Sequence, residues 1–275
     1  MKTLITIILL AHGFLSIAQN PNLFQGTVSD SLDHSFLPYA SIGIIDKEVG
    51  TVANNQGDFA IELSPEFDND SLKISMIGYE SKTYKVAEFK KILLKNSTIN
   101  LSKKTSLLPS ISVKGRKLKD GVLGNVVKSN TMVIEFITEK LGYELGIIAK
   151  IKRKPTVVKS LSFSIVESQF DSLRFRVNFY DLKDDLPNEI INSSPIIFTT
   201  KIKKGNIDVD LSQYNLIMTE DFFVSVEWIE NPIRTDKKLI YNFSLFGSKT
   251  FAREASQSKW QKMPICIGLN LKVKH

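Results

Sequence analysis

Histidine decides which hydrolytic chemistries this sequence permits. The chain of 275 residues contains three histidines, and beyond His12, near the N-terminus, only His34 and His275 are left. A catalytic zinc site takes about three ligands from His and carboxylate groups, and neither histidine begins a His-x-x-Glu or His-Glu-x-x-His pattern. A Ser-His-Asp triad would need the same two histidines, and no Gly-x-Ser-x-Gly motif occurs. The sequence therefore predicts no catalytic residue, no metal site, no cofactor and no enzyme, with a degenerate hydrolase as a remote alternative.

The other reactive residue types are explained by structure rather than by chemistry. Cys266 is the single cysteine, so no intramolecular disulfide forms, which suits a bacterial envelope better than a eukaryotic extracellular space. Its apolar neighbours predict a buried, inert thiol. The paired carboxylates Asp184 and Asp185 lie in a Lys-Asp-Asp-Leu-Pro-Asn segment that is typical of a turn.

One segment, residues 247–260, has the side chains of a binding loop. Arg253, Gln257 and Trp260 form a candidate sugar-contacting set, because an indole face stacks on a pyranose while Arg and Gln bond hydroxyl groups. The alternative is structural: Trp260 packs over the end of a sandwich, and Arg253 pairs with Glu254 or Asp236.

Alternation of apolar and polar residues predicts a first β-sandwich over residues 19–113. Six or seven short strands fit into about 90 residues, and the pattern at 87–94 predicts no more than a short turn of helix. The apolar residues on one face of these strands are Ala40, Ile42 and Ile44; Phe59, Ile61 and Leu63; Leu72, Ile74 and Met76; Ile99 and Leu101.

The composition changes after this region. Residues 114–130 lack an apolar period and contain three glycines, which predicts a linker. Residues 131–275 then alternate over longer stretches and predict two packed antiparallel sheets in a jelly-roll-like sandwich. The predicted strands are 145–151, 161–165, 173–179, 207–211, 222–228, 239–245 and 265–273. The fold class is therefore all-β, with two β-sandwich domains.

The N-terminus has the pattern of a secretory signal peptide over residues 1–18. Lys2 is followed by an apolar run and by small residues up to Ala18. The apolar run is too short for a membrane-spanning helix, and no later segment is apolar enough, so the mature chain is expected to have no transmembrane segment. Export to the periplasm, the outer membrane or the cell surface is the expected localisation.

The net charge of +7 is concentrated in one stretch, because residues 85–119 carry ten Lys or Arg against Glu88 alone. The stretch lacks the interleaved aromatic residues of a nucleic-acid stacking surface, and an exported protein does not meet nucleic acid in the cytoplasm. We interpret this stretch as a solvated basic face and predict no nucleic-acid partner.

A spaced pattern in the first region resembles the carboxypeptidase-like regulatory domain, a prealbumin-like sandwich found in secreted Bacteroidetes proteins. The pattern covers about 70 residues and reads Gly26-Thr27-Val28, Leu37-Pro38-Tyr39-Ala40, Gly50-Thr51, Gly57-Asp58-Phe59 and Ile77-Gly78-Tyr79. This module also precedes the barrel of TonB-dependent receptors, but the remaining chain here is too short for that barrel. The resemblance implies a scaffold and an envelope compartment, not peptidase chemistry.

The tripeptide Asp-Ser-Leu occurs three times and is similar to the O-glycosylation acceptor pattern of secreted Bacteroidetes proteins. The acceptor hydroxyls would be those of Ser31, Ser71 and Ser172. An Asp-Ser turn that leads into a strand is the alternative. Together these observations predict a non-enzymatic exported envelope protein that acts as a binding or accessory module, with an envelope protein or a glycan as its partner. A glycan-binding protein that uses the C-terminal sandwich is the competing hypothesis.

Overall fold

The computed structural model describes residues 20–104, 118–127, 131–136, 140–230 and 237–275. The predicted signal peptide and residues 114–117 and 128–130 of the predicted linker lie outside these ranges.

The first region folds into two small sheets and one helix. The sheets have the strand orders β4-β1-β7, in which β1 and β7 are parallel, and β3-β2-β5-β6. A 3₁₀ turn, Pro65–Phe67, precedes β5. The elements are β1 (Leu23–Asp30), β2 (Ser41–Ile44), β3 (Gly50–Val52), β4 (Asp58–Glu62), β5 (Ser71–Ser75), β6 (Lys82–Lys85), α1 (Val86–Lys95) and β7 (Thr98–Leu101).

The core of this first sandwich lies between its two sheets and is closed at one side by α1. Alternate residues of the strands point into it, as the period of two requires. Val86, Phe89 and Leu93 of α1 are buried because spacings of three and four residues place them on one face of a helix. The other members include Val28, Ile42, Ile44, Phe59, Ile61, Leu72, Ile74, Ile99 and Leu101.

The second region is a larger sandwich of two antiparallel sheets. The strands are β8 (Asp120–Gly124), β9 (Val133–Phe136), β10 (Glu144–Ala149), β11 (Thr156–Ser168), β12 (Leu173–Lys183), β13 (Leu186–Ile190), β14 (Ile196–Thr200), β15 (Gly205–Asp210), β16 (Ile217–Met218), β17 (Phe222–Glu230), β18 (Leu239–Ser244), β19 (Thr250–Arg253), β20 (Gln261–Lys262), β21 (Cys266–Ile267) and β22 (Leu269–Lys274). A 3₁₀ turn, Ser212–Tyr214, lies between β15 and β16.

One sheet of this sandwich, named here the docking sheet, has the order β13-β12-β17-β10-β19-β20, with β14 also paired to β12. The other, the distal sheet, has the order β21-β18-β11-β22-β8, with β9, β15 and β16 attached. Their facing side chains form one continuous core. It contains Phe175, Val177 and Phe179 of β12 on one side and Leu161, Phe163 and Ile165 of β11 on the other.

The all-β fold predicted from the sequence is confirmed, and so is the burial of Cys266. Two expectations about elements are wrong. The segment around 87–94 is a ten-residue helix, because its buried face packs on the first sandwich. Residues 120–124, inside the predicted linker, form β8, which pairs with β22 over five residue pairs.

The two sandwiches are in direct contact. Tyr39 and Val52 of the first pack with Ile229 of the docking sheet in a small separate cluster. Arg174 of β12 forms an ion pair with Glu230 and donates to the Tyr39 hydroxyl. The docking sheet is therefore covered on both faces, by its own core and by the first sandwich.

Candidate functional site

Four charged side chains form a single row across the outer face of the docking sheet. Arg176 of β12 is opposite Glu227 of β17, Glu227 is opposite Glu144 of β10, and Glu144 is opposite Arg253 of β19. Directly opposed residues in neighbouring strands have side chains within contact distance. Strand register alone therefore builds an Arg-Glu-Glu-Arg arrangement, the charged row, from four segments that are far apart in the sequence.

The charged row is buried and internally paired. Glu144 and Glu227 are 0% exposed, Arg176 is 4% exposed and Arg253 is 9% exposed. The Arg176 guanidinium donates from Nε and Nη2 to Glu227 Oε2 at 2.9 and 2.7 Å. Arg253 Nη2 lies 2.5 Å from Glu144 Oε2. Two positive and two negative groups give the row a formal charge of zero.

The Asn178 side-chain amide bridges the two central carboxylates, Glu144 and Glu227. Its Nδ2 donates to Glu144 Oε1 and to Glu227 Oε2, both at 2.8 Å. The hydroxyls of Tyr180 and Ser225 also donate to Glu144, from Tyr180 at 2.9 Å. Like charges on adjacent strands repel, so these donors stabilise a pair of buried carboxylates that would otherwise be unfavourable.

Two groups at the row, Tyr180 and Arg253, have shifted pKa values. Burial raises the pKa of the Tyr180 phenol well above its usual value, so this hydroxyl remains a donor. Burial by itself would lower the pKa of Arg253, but the Glu144 carboxylate outweighs it and the pKa rises, so the guanidinium stays charged. Tyr180 is thus a neutral donor beside the row, and Arg253 is a charged partner of Glu144.

The first sandwich is bound to one end of the charged row. Arg176 Nη1 donates to the Tyr39 carbonyl oxygen at 2.7 Å, and Nη2 donates to Ser41 Oγ at 2.6 Å. Ser41 begins β2 and Tyr39 lies two residues before it, so one buried guanidinium joins Glu227 of the second sandwich to the first. This connects the position of the first sandwich to the integrity of the row.

The 247–260 segment, predicted as a binding loop, is part of the same contact between sandwiches. Ser256 is fully buried, and Cβ atoms built on Gly43 and Gly50 would lie 1.9 and 2.4 Å from its carbonyl oxygen. The Asp46 backbone N–H donates to the Gln257 carbonyl oxygen at 3.0 Å. Only glycine permits this approach of the β2–β3 hairpin to the loop.

The predicted binding residues Arg253, Gln257 and Trp260 have different environments. Arg253 lies over the Trp260 ring at 4.9 Å from its centroid, and its ionic partner is Glu144 rather than Glu254. Asp236, the other predicted partner, lies outside the described residues. The half-buried indole makes an edge contact with Phe223 at 4.9 Å. Gln257 Nε2 donates to Ser75 Oγ of the first sandwich at 2.9 Å. One face of the indole is therefore covered by protein.

A cleft of about 550 Å³ lies between the two sandwiches, above the charged row. Its floor includes Arg176, Glu227 and Arg253, while residues 75–81 of the first sandwich and 188–193 of the second form its walls. Two floor atoms, Glu227 Oε1 and Arg253 Nε, are buried without a hydrogen-bond partner among the described residues. Buried polar atoms are normally satisfied, so this floor differs from an ordinary domain contact.

A larger hollow, of about 1140 Å³, is lined by β3 and β4 of the first sandwich and by residues 140–141 of the second region. Its charged side chains are all exposed, namely Glu48, Asp58, Glu62 and Lys140. Size alone does not make a binding site, and perturbed or buried polar groups are the better indicator. The smaller cleft is therefore the better candidate.

The three predicted acceptor serines are not brought together. Ser31 is exposed in a turn, Ser172 is exposed directly before β12, and Ser71 is half-buried at the start of β5. Ser31 Oγ lies 3.0 Å from Ser102 Oγ. Their modification remains a prediction.

The sequence missed the charged row because its members alternate with core residues, as solvent-facing residues also do. Arg174, Arg176 and Asn178 therefore resembled a solvated face. One signal was present in β17, where Phe223 and Ile229 occupy the same face as Glu227. Apolar residues on both faces of a strand indicate burial on both faces.

Comparison with protein families supports the resemblance of the first region to a carboxypeptidase-like regulatory domain. Residues 24–113 match the family described as the CarboxypepD_reg-like domain, which is a non-catalytic domain family. No curated protein matches the chain. Within the described ranges, no three His, Cys, Asp or Glu side chains are grouped to hold a metal ion, and none of the described helices has the length and apolarity to cross a membrane. Over residues 24–113, the first region of this chain is thus similar to a carboxypeptidase-regulatory-like domain.

Proposed function

We propose that this protein is an exported, non-enzymatic envelope protein that acts as a binding or accessory module through the cleft between its sandwiches. The carboxypeptidase-regulatory-like domain is one wall of this cleft, and the second sandwich supplies its floor. The compartment is the periplasm or the outer membrane, in the manner of the Bacteroidetes modules that the first region resembles.

The observation that carries the proposal is the buried charged row beneath an open cleft. A domain contact that served only to hold two sandwiches together would be more stable with apolar side chains, because buried ion pairs gain little over hydrophobic packing. Polar groups that converge in a cleft between domains are typical of ligand recognition.

A glycan-binding protein is the second candidate, and one observation favours it. Arg253 and Gln257, two of the three residues predicted to contact a sugar, line the cleft. Trp260 does not line it, so recognition would depend on hydrogen bonds at the floor rather than on stacking against the indole.

Cell fractionation of the source bacterium, followed by N-terminal sequencing, tests the export proposal. We expect the protein in the envelope fraction with Gln19 as its first residue. An uncleaved chain in the cytoplasm would remove the envelope role. Purified protein is expected to leave peptide substrates intact with and without added Zn²⁺, and hydrolysis in either condition would contradict a non-enzymatic role.

A further inference from the structure

We infer that the open edge of β4 binds an extended, lysine- or arginine-rich segment of another protein as an added strand. The site is the hollow lined by β3, β4 and residues 140–141, and it shares no lining residue with the cleft between the sandwiches. The inference therefore goes beyond the proposed function and does not depend on a ligand in the cleft. Addition of a peptide strand to an exposed sheet edge is a recurring mode of protein recognition.

The outer side of β4 carries backbone groups that point away from its sheet. Within the described residues, β4 pairs with β1 alone. The Gly57 carbonyl accepts a backbone hydrogen bond from β1, and the Leu63 N–H donates one to the residue before β1, both at 2.8 Å. Paired and outward-facing positions alternate along an antiparallel strand. The N–H and C=O groups of residues 58, 60 and 62 therefore point away from β1.

Two of these three positions are open to a partner strand. At the first, the Asn54 N–H donates to the Asp58 carbonyl at 2.8 Å, and the Asp58 N–H donates to Asn54 Oδ1 at 2.9 Å. Ala60 and Glu62 have no such backbone partner among the described residues, and both are exposed and line the hollow. They offer two N–H donors and two carbonyl acceptors, spaced as the pairing of one more antiparallel strand requires.

The charge of the hollow favours a basic partner. Its lining has three exposed carboxylates, Glu48, Asp58 and Glu62, and one ammonium group, that of Lys140, so the difference is −2. The whole chain has the opposite sign, with a net charge of +7. Asp58 and Glu62 lie on the exposed face of β4, on either side of Ala60. Opposite charges on directly opposed residues of neighbouring strands attract.

The hydrogen bonds of the two β4 carboxylates leave their negative charge uncompensated. The Thr27 hydroxyl donates to Asp58 Oδ1 at 2.7 Å, and the Asn20 amide donates to Glu62 Oε1 at 3.1 Å. Both donors are neutral. A Lys or Arg side chain on an added strand would therefore supply a charge that these two neighbours do not.

The alternation of a strand sets the remaining positions of the partner. Successive side chains point to opposite faces, so the residues between the basic ones face the interior of the first sandwich. Val49 and Phe67 line the hollow there and are half-buried against the first core. The partner segment is therefore expected to read basic, apolar, any residue, apolar, basic, with its central residue opposite Ala60.

Fluorescence anisotropy with the mature chain and three end-blocked, labelled peptides tests the inference. The first contains Lys-Val-Thr-Val-Lys, the second contains Glu-Val-Thr-Val-Glu, and the third is the first with the backbone nitrogen of its Thr methylated. We expect the first to bind with a Kd of about 1 mM or tighter. The second should bind at least about tenfold more weakly because its charges repel. The third should weaken similarly because it lacks a ladder N–H.

Amide hydrogen exchange locates the contact. In the free chain, the outward N–H groups of Ala60 and Glu62 should exchange faster than those of Phe59 and Ile61, which face β1. Saturation with the first peptide should slow exchange at Ala60 and Glu62 at least about tenfold, with a smaller change at Phe59 and Ile61.

Three variants complete the test. Ala60→Pro removes an outward N–H without removing a bond to β1, which an edge strand tolerates, and it should weaken binding of the first peptide at least about tenfold. Glu62→Lys should weaken the first peptide and strengthen the second, a reversal that a loss of folding would not produce. Glu66→Lys makes the same charge change at an exposed residue outside the hollow, and it should bind as the wild type does.

The inference is overturned if the first peptide does not bind, if either of the others binds as tightly, or if Glu62→Lys behaves as Glu66→Lys does. Analytical ultracentrifugation excludes a different occupant. We expect monomers for the wild type and for Ala60→Pro. A wild-type dimer that Ala60→Pro dissociates would also overturn the inference, because a second copy of this chain would then occupy the edge.

Discussion

The residue that most directly joins the two sandwiches is Arg176. Its guanidinium pairs with Glu227 and donates to the Tyr39 carbonyl and the Ser41 hydroxyl. Replacement by Met would leave the Glu227 carboxylate buried without its counter-charge. We expect Arg176→Met to lower the free energy of unfolding by roughly 3–5 kcal/mol, measured by urea denaturation.

An exposed ion pair provides the control. Lys154 and Glu220 are paired, with side chains that are 56% and 78% exposed. Lys154→Met removes the same kind of charge and should cost less than about 1 kcal/mol, because solvent screens such pairs. Equal losses for the two variants would contradict a special role for the charged row.

A second residue with several polar partners is Asp30, at the end of β1. Its carboxylate accepts from the Leu32 backbone N–H at 2.8 Å and from the Tyr79 hydroxyl at 3.0 Å, and Lys103 lies 3.2 Å away. The Leu32 N–H, with Lys103 and Tyr79, lowers the pKa of Asp30 from 3.8 to about 2.

This lowered pKa predicts the pH dependence of stability. The folded state favours the charged form, so the contribution is complete above pH 3.8 and is lost as the pH falls toward 2. Between those values, we expect the free energy of unfolding of Asp30→Asn to fall less steeply than that of the wild type. Urea titrations at several pH values measure this. Asp185→Asn, at an exposed turn, is the control, and a slope for Asp30→Asn equal to that of the wild type would contradict the prediction.

At the scale of single elements, α1 shows what a short helix contributes. Phe89 is fully buried and packs against Phe59 and Tyr84 at centroid distances of 6.3 and 5.8 Å. Phe89→Ala should lower the free energy of unfolding by roughly 3–5 kcal/mol. Leu94 lies on the opposite face of α1 and is 80% exposed, so Leu94→Ala should change the free energy of unfolding by less than about 0.5 kcal/mol. Losses of the same size would mean that α1 does not close the core.

Element prediction succeeded where the apolar period was long and failed where pairing depended on distant partners. The alternation in 173–179 is enough to specify β12, since one face is buried throughout. The glycine-rich stretch 120–124 has no such pattern, and it becomes β8 because β22 offers a hydrogen-bonding edge. Short strands such as β16 and β20 have the same origin. Tertiary context decides these strands, and no local pattern reports it.

At the scale of the whole molecule, the sequence predicted two sandwiches but not the contact between them. The four members of the charged row come from residues 144, 176, 227 and 253, and their sequence neighbours do not indicate that they meet. The loop at 247–260 was predicted as a binding loop from its side chains, and some of these side chains take part in a contact between domains. Local chemistry identifies unusual residues, while register and docking determine what they contact.

The union of the sandwiches predicts coupled unfolding. Because Arg176, Ser256 and Gln257 bind the first sandwich to the second, we expect a single transition for the wild type in thermal and urea denaturation. Gly43→Ala places a methyl group against the Ser256 carbonyl and should separate the transition into two without disrupting either core.

Gly26→Ala is the matched control. Its new methyl group would meet Ser97, Phe59 and Leu93 within the first sandwich, so it should lower the midpoint while the transition stays single. Two transitions in the wild type, or a single one in Gly43→Ala, would show that the sandwiches do not depend on this contact.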